Sequence, residues 1–364
     1  MSTPSGGFRN EVLNFVELHR ASEQGPGRYV YAACQTQPIL YASTYAALAR
    51  HLLDDLATLS DAERAEWVAY LQSFQDDDGF FKDAPLAHPG SWYVPPHMEW
   101  CGWWHLTCHA IMGLAALGGV APQEFAVLKP FYDEKHLAAW LDARDLRKMD
   151  YVGNEVLNLG QVLQYARDFQ NCSRAQRPME MIFDWLDRVQ NPDTGQWGAF
   201  GTPEERNKSY QGAYHFYLLY EYDKRPVKHV ERIIDTMLEM QTPQGGFGIH
   251  PNTSGCEDID AIDPLVRYSQ HAPGHRRADV TAALRRAFDW VLQNRTPDGG
   301  FAFIRDRDFF YGSKLMYSAK DQGSMFATWW RMLALAILSR AVTNHPLARV
   351  KWQYLRCPGY QFLD

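Results

Sequence analysis

The chain has 364 residues, 46% hydrophobic, 14% aromatic and 22% charged, with a net charge of −7. Such a composition supplies a full-sized core and excludes disorder, collagen and coiled coil. A net acidic chain without a Lys/Arg run argues against nucleic acid as a partner. The six cysteines are dispersed and form no Cys-x-x-Cys, so reduced thiols in a cytoplasmic protein are expected. The N-terminal residues lack a basic region followed by an apolar one, so no signal peptide is expected. The longest apolar stretch, Met332 to Leu338, is far below the roughly 18 residues of a membrane span. A soluble protein with no integral span follows.

Residues 1–37 read as a terminal extension. The first buried helix is expected at Tyr41–Leu56 and a mixed-charge amphipathic helix at Asp61–Phe74. The latter ends in Gln75-Asp-Asp-Asp-Gly79-Phe-Phe81. A second buried helix is expected at Glu99–Leu117, a degenerate turn near Phe131-Tyr-Asp-Glu134, and a third buried helix at Tyr151–Phe169. An amphipathic stretch at Met179–Val189 then ends in Gln190-Asn-Pro-Asp-Thr-Gly195-Gln-Trp197, before a buried one at Ser209–Tyr222. Val227–Met240 places apolar residues at helical spacing and ends in Gln241-Thr-Pro-Gln-Gly245-Gly-Phe247, ahead of Asp258–Tyr268. Val280–Leu292 ends in Gln293-Asn-Arg-Thr-Pro-Asp-Gly299-Gly-Phe301, ahead of Ser324–Val342. Residues 344–364 read as a second extension.

The last three turns recur at a period of about 50 residues, which marks an internal repeat. Gly and Pro break each amphipathic helix, and the aromatic beyond can pack back on it. Half-exposed and wholly apolar helices alternate, with six of the latter. Two concentric rings satisfy that pattern, so an all-α (α/α)6 toroid in one domain is expected. An open solenoid would expose one face of its inner helices.

The Gln-x-x-x-Gly-x-Phe/Trp repeat resembles that of squalene-hopene and oxidosqualene cyclases, within the terpenoid-cyclase and protein-prenyltransferase superfamily. Those cyclases carry two α-helical barrels, and this chain has room for one. The resemblance implies a cavity at the barrel mouth and acid-initiated chemistry on an isoprenoid.

In a toroid the inner helices all start at one mouth, so dispersed residues converge there. Read off in order, the polar ones are Glu99, His105 and His109, then Asp150, Asn154 and Glu155, then Tyr210 and His215. Cys256, Glu257, Asp258, Asp260, Asp321 and Gln322 complete the set. Carboxylates at helix starts also serve as caps. In Cys256-Glu-Asp-Ile-Asp-Ala-Ile-Asp263, however, four carboxyls crowd together, which raises at least one pKa. The segment looks like the Asp-x-Asp-Asp motif of class II terpenoid cyclases. Asp260 falls in the place of the family's proton donor and Asp258 in that of its partner; Ala261 stands where the family has its last Asp. Glu257 joins the candidate catalytic carboxyls, while Glu99, Trp103, His105, His109, Tyr210, His215 and Asp321 are the candidate substrate-binding residues.

His105 and His109 share a helix face at a spacing that suits one metal, with His215, Cys256 or Glu99 as a third ligand. The Asp-x-Cys order of the zinc-binding prenyltransferases is not reproduced, so hydrogen-bonded histidines and no metal or cofactor are expected. The functional expectation is an acid-initiated cyclase or isomerase acting on a small apolar molecule. A carbohydrate-active (α/α)6 hydrolase or lyase, working with paired carboxylates, and a non-catalytic binding toroid are the alternatives.

Overall fold

The computed structural model describes residues 4–95 and 102–360. Its helices, in chain order, are α1 (Pro4–Leu18), α2 (Leu40–Leu52), α3 (Asp61–Gln72), α4 (Gly102–Ala116), α5 (Glu134–Asp142) and α6 (Met149–Phe169). They continue with α7 (Gln176–Val189), α8 (Pro203–Tyr222), α9 (Val230–Glu239), α10 (Gly255–His271), α11 (Arg277–Leu292) and α12 (Met325–Ala341). Capping boxes start α3, α8 and α10, where Ser60, Thr202 and Ser254 pair with Glu63, Glu205 and Glu257.

Even-numbered helices form the inner ring. Each packs on the next, and α12 returns to α2, closing the circle. Every residue from Met325 to Ser339 is buried, as expected of a helix with neighbours on all sides. The odd-numbered helices surround this ring with one apolar face each. The chain is therefore an α/α toroid, and closure of α12 on α2 excludes the open solenoid. A short hairpin, β1 (Phe309–Phe310) with β2 (Tyr317–Ser318), lies over the mouth. Gly312 O accepts from Trp92 N at 2.9 Å, joining the hairpin to the 84–95 loop. No helix among the described residues is long and apolar enough to cross a membrane.

The repeated Gln has a visible task. The Gln75 amide donates to Gly79 O (2.9 Å) within its turn and to Gln123 O (3.1 Å) beyond it. Gln190 does the same with Gly195 and Lys228, and Gln241 with Gly245 and Ala283. Gln190 and Gln241 thus tie their turns to the entry of α9 and the body of α11, and Gln75 ties its turn to the segment that leads toward α5. Gly245 needs its φ of +106°, and a Cβ there would sit 2.7 Å from Arg286 O. Gln190→Ala should cost about 1–3 kcal/mol, since it strands two partly buried carbonyls; urea denaturation measures it.

Three details differ from the sequence reading. In the fourth turn Arg295, rather than Gln293, bridges to the aromatic Phe301, and its guanidinium pairs with Glu11 of α1. The stretch Phe131–Glu134 is the entry to outer helix α5, not an exit turn, and the exit lies after Asp142. Residues 1–37 include α1, whose Phe8, Val12, Phe15 and Val16 are all in the core. Those four share one helix face, and α1 takes the sixth outer place.

Candidate active site

Successive residues turn by about 100° around a helix, so Asp258 and Asp260 point to nearly opposite sides of α10. Asp258 is fully buried and points toward α11 and α12. Its carboxylate accepts from Phe247 N (2.9 Å), Thr253 Oγ1 (2.7 Å), Trp290 Nε1 (2.9 Å) and the Arg331 guanidinium. In two other repeats the same backbone donor is met by a threonine: Thr107 takes Phe81 N and Thr328 takes Phe301 N. Asp258 therefore occupies a structural position of the repeat. Arg331 extends the network to Asn294 Oδ1 (3.1 Å) and Phe303 O (2.8 Å).

Asp260 points to the barrel axis. It is 2% exposed and makes no side-chain hydrogen bond among the described residues. Burial first, and then the charges of Glu257, Asp258 and Asp263, hold its pKa well above the usual carboxylate range. It faces a cavity of about 150 Å³. One side of that cavity is aromatic, formed by Trp92, Tyr311, Phe326, Trp330 and Tyr360. The other carries His105, His109, His215 and Cys256, with Asp150, Asn154 and Gln211 toward the rim.

The histidines are neutral donors and acceptors. His105 uses both ring nitrogens, Nδ1 on Tyr41 OH (2.6 Å) and Nε2 on Tyr311 OH (3.1 Å). Burial and the neighbouring rings push its pKa well down. His109 and His215 sit opposite backbone carbonyls, His105 O and Gln211 O, each 2.8 Å from Nδ1. A carbonyl only accepts, so Nδ1 carries the proton and Nε2 is left as an acceptor. Burial lowers both to about 4. Among the described residues no three of His, Cys, Asp and Glu are grouped to hold a metal ion.

Because these two rings are held neutral in the fold, the unfolded chain binds more protons between pH 6.5 and about 4. Their contribution is complete above pH 6.5 and drains away as pH falls through that window. Urea midpoints of the wild type should therefore drop from pH 7 to pH 4.5 by more than those of His109→Gln/His215→Gln. Equal drops would contradict the assignment.

The remaining sequence candidates lie elsewhere. Glu99 falls outside the described residues. Trp103 packs on Tyr93 (4.8 Å between ring centroids) and is not part of the cavity wall. The Tyr210 hydroxyl donates to Glu257 O (3.2 Å), and Glu257 itself completes the α10 capping box. Asp321 is exposed in a turn with φ of +61°, so the structure does not bring it to the cavity. Trp92, Gln211, Tyr311, Phe326, Trp330 and Tyr360 line the wall without having been candidates. The α12 pair Phe326 and Trp330, one turn apart at an inner-helix start, carried a readable signal, whereas Tyr360 carried none.

The sequence matches the family described as the prenyltransferase alpha-alpha toroid domain, over residues 9–257 and again over 157–310. The chain belongs to that family. Among solved structures it is similar to a polysaccharide lyase, with a TM-score of 0.52 and 11% identity over 93% of this chain and 98% of that one. It is also similar to the type II terpene cyclase MstE from Scytonema, with a TM-score of 0.49 and 15% identity over 93% of this chain and 99% of that one. For the ent-copalyl diphosphate synthase from Streptomyces platensis the values are 0.47 and 18%, over 83% of this chain and 50% of that one. Terpene cyclases and carbohydrate enzymes thus both stand among its distant neighbours. No curated protein matches the chain.

Proposed function

We infer that the protein is an acid-initiated cyclase or isomerase of an isoprenoid or similarly apolar substrate. One observation carries this reading: a buried carboxyl without a hydrogen-bond partner among the described residues, Asp260, opens on a cavity walled by aromatic rings. Held protonated near neutrality, Asp260 would deliver its proton to an alkene or epoxide of the substrate. The faces of Trp330, Phe326 and Tyr360 would then stabilise the carbocation. A proton lost from the cation would pass to the Nε2 lone pair of His109 or His215, which are neutral and face the same space. Gain and loss of one proton make the net change of an alkene an isomerisation or ring closure.

No Lys or Arg lines the cavity, and the segments outside the described residues contain none. The wall therefore suits an uncharged substrate better than a diphosphate. Asp150 lines the same space as Asp260, and that second carboxyl is what favours the carbohydrate-active alternative. A panel of prenyl alcohols, their epoxides and neutral or uronate oligosaccharides, analysed by mass spectrometry, separates the two. Conversion of isoprenoids alone, lost in Asp260→Asn, is the expected result; cleavage of an oligosaccharide would replace the reading.

A further inference from the structure

The inner ring is not open from end to end. After α12 the chain passes under the barrel, and residues 351–360 turn up into it from the end opposite the mouth. The path is fixed at successive depths. Gln353 N donates to Leu52 O (2.9 Å) at the end of α2, and Tyr354 OH donates to Ala336 O (2.9 Å) on α12. Further up, the buried Gln161 amide of α6 donates to Pro358 O (2.8 Å) and to Cys108 O (2.9 Å) of α4. Gly359 follows with φ of +121°, and a Cβ there would come within 2.6 Å of both Gln161 Nε2 and Met112 Sδ. The climb brings Tyr360 level with the histidines.

Tyr360 is 4% exposed and forms the base of the cavity. Its ring lies over His109 (5.7 Å, 25° between planes) and meets Trp330 edge-on (4.7 Å, 80°). Tyr214 and His215 flank it at 6.2 and 6.3 Å. Without this side chain, the cavity would gain the space of its ring, between His109, Tyr214 and Trp330. With it, the space of about 150 Å³ is that of a cavity known to admit one benzene-sized molecule.

We propose that Tyr360 is a specificity-determining residue that sets the length of the substrate, confining the site to a short isoprenoid chain whose far end abuts its ring. This rests on the reading of the cavity as an isoprenoid site. Extra methylenes that meet a packed wall force side chains off their preferred positions, so chain length is discriminated sharply.

The test is binding of prenol, geraniol, farnesol and geranylgeraniol, followed by quenching of tryptophan fluorescence, in the wild type, Tyr360→Ala and Tyr360→Leu. Leucine keeps an apolar contact and guards against loss of folding, which circular dichroism checks in each case. The wild type should bind the short alcohols and reject the long ones. Both variants should move that limit upward, with a gain of roughly tenfold or more for the first alcohol the wild type excludes. An unchanged limit in folded variants that still bind the short alcohols overturns the role of Tyr360 and leaves the site reading standing. No binding of any alcohol, by any of the three proteins, overturns the site reading and the proposal with it.

Discussion

Arg331→Met should lower the stability of the protein by about 3–5 kcal/mol, because it leaves the Asp258 carboxylate buried without its counter-charge. Both side chains are almost wholly inaccessible, at 1% and 0%, so water cannot replace the lost partner. The effect should appear as a fall in the urea midpoint, accompanied by loosening around Trp290 and Phe247. Adding Asp258→Asn to Arg331→Met should recover a good part of the loss, since it removes the stranded charge while keeping an acceptor for Phe247 N. If the double variant were no more stable than the single one, the carboxylate would not be the source of the cost.

Asp260→Asn should behave in the opposite way. Turnover should fall by roughly 10²–10⁴, the usual contribution of a positioned acid, and by more if no other donor can act. Stability at pH 7 should be unchanged or slightly higher. The sign follows from linkage: the folded-state pKa is raised, so the folded protein takes up a proton that the unfolded chain has lost. That contribution is spent as pH rises above the unfolded carboxyl's range near 3.8, and a neutral amide avoids it. Turnover measured by product analysis and stability by urea denaturation should therefore move apart for Asp260 and together for Asp258. Equal loss of stability in both variants would remove the functional distinction between them.

Much of the architecture was legible because helical periodicity is local. The alternation of apolar and amphipathic segments places all six inner helices, and the Gln–Gly–aromatic turns mark the exits of α3, α7 and α9. Where the local signal weakens, the reading slips. Arg295 replaces the repeat Gln and works through an ion pair with a residue far away in the chain. Helix α5 leaves through a turn without glycine, and α1 carries its apolar face in a segment that reads as an extension. At the site, the position of Asp260 followed from helix starts converging at one mouth. The role of Asp258 did not, because its partners Trp290 and Arg331 come from helices 32 and 73 residues further on. Asp321 sits in a loop long enough to carry it away from the helix start it precedes. Tyr360 was invisible, since only a non-local path threads it through the ring.

The junction of Arg295 with Glu11 spans 284 positions, and α12 must find α2 across a similar distance. Contacts so remote in sequence carry a large loop-closure cost and slow folding. During synthesis α2 therefore emerges with the face of Tyr45 that meets Phe326 and Trp329 still uncovered, and it waits for α12 while the rest of the ring is made. Such a waiting surface is prone to association with other nascent chains.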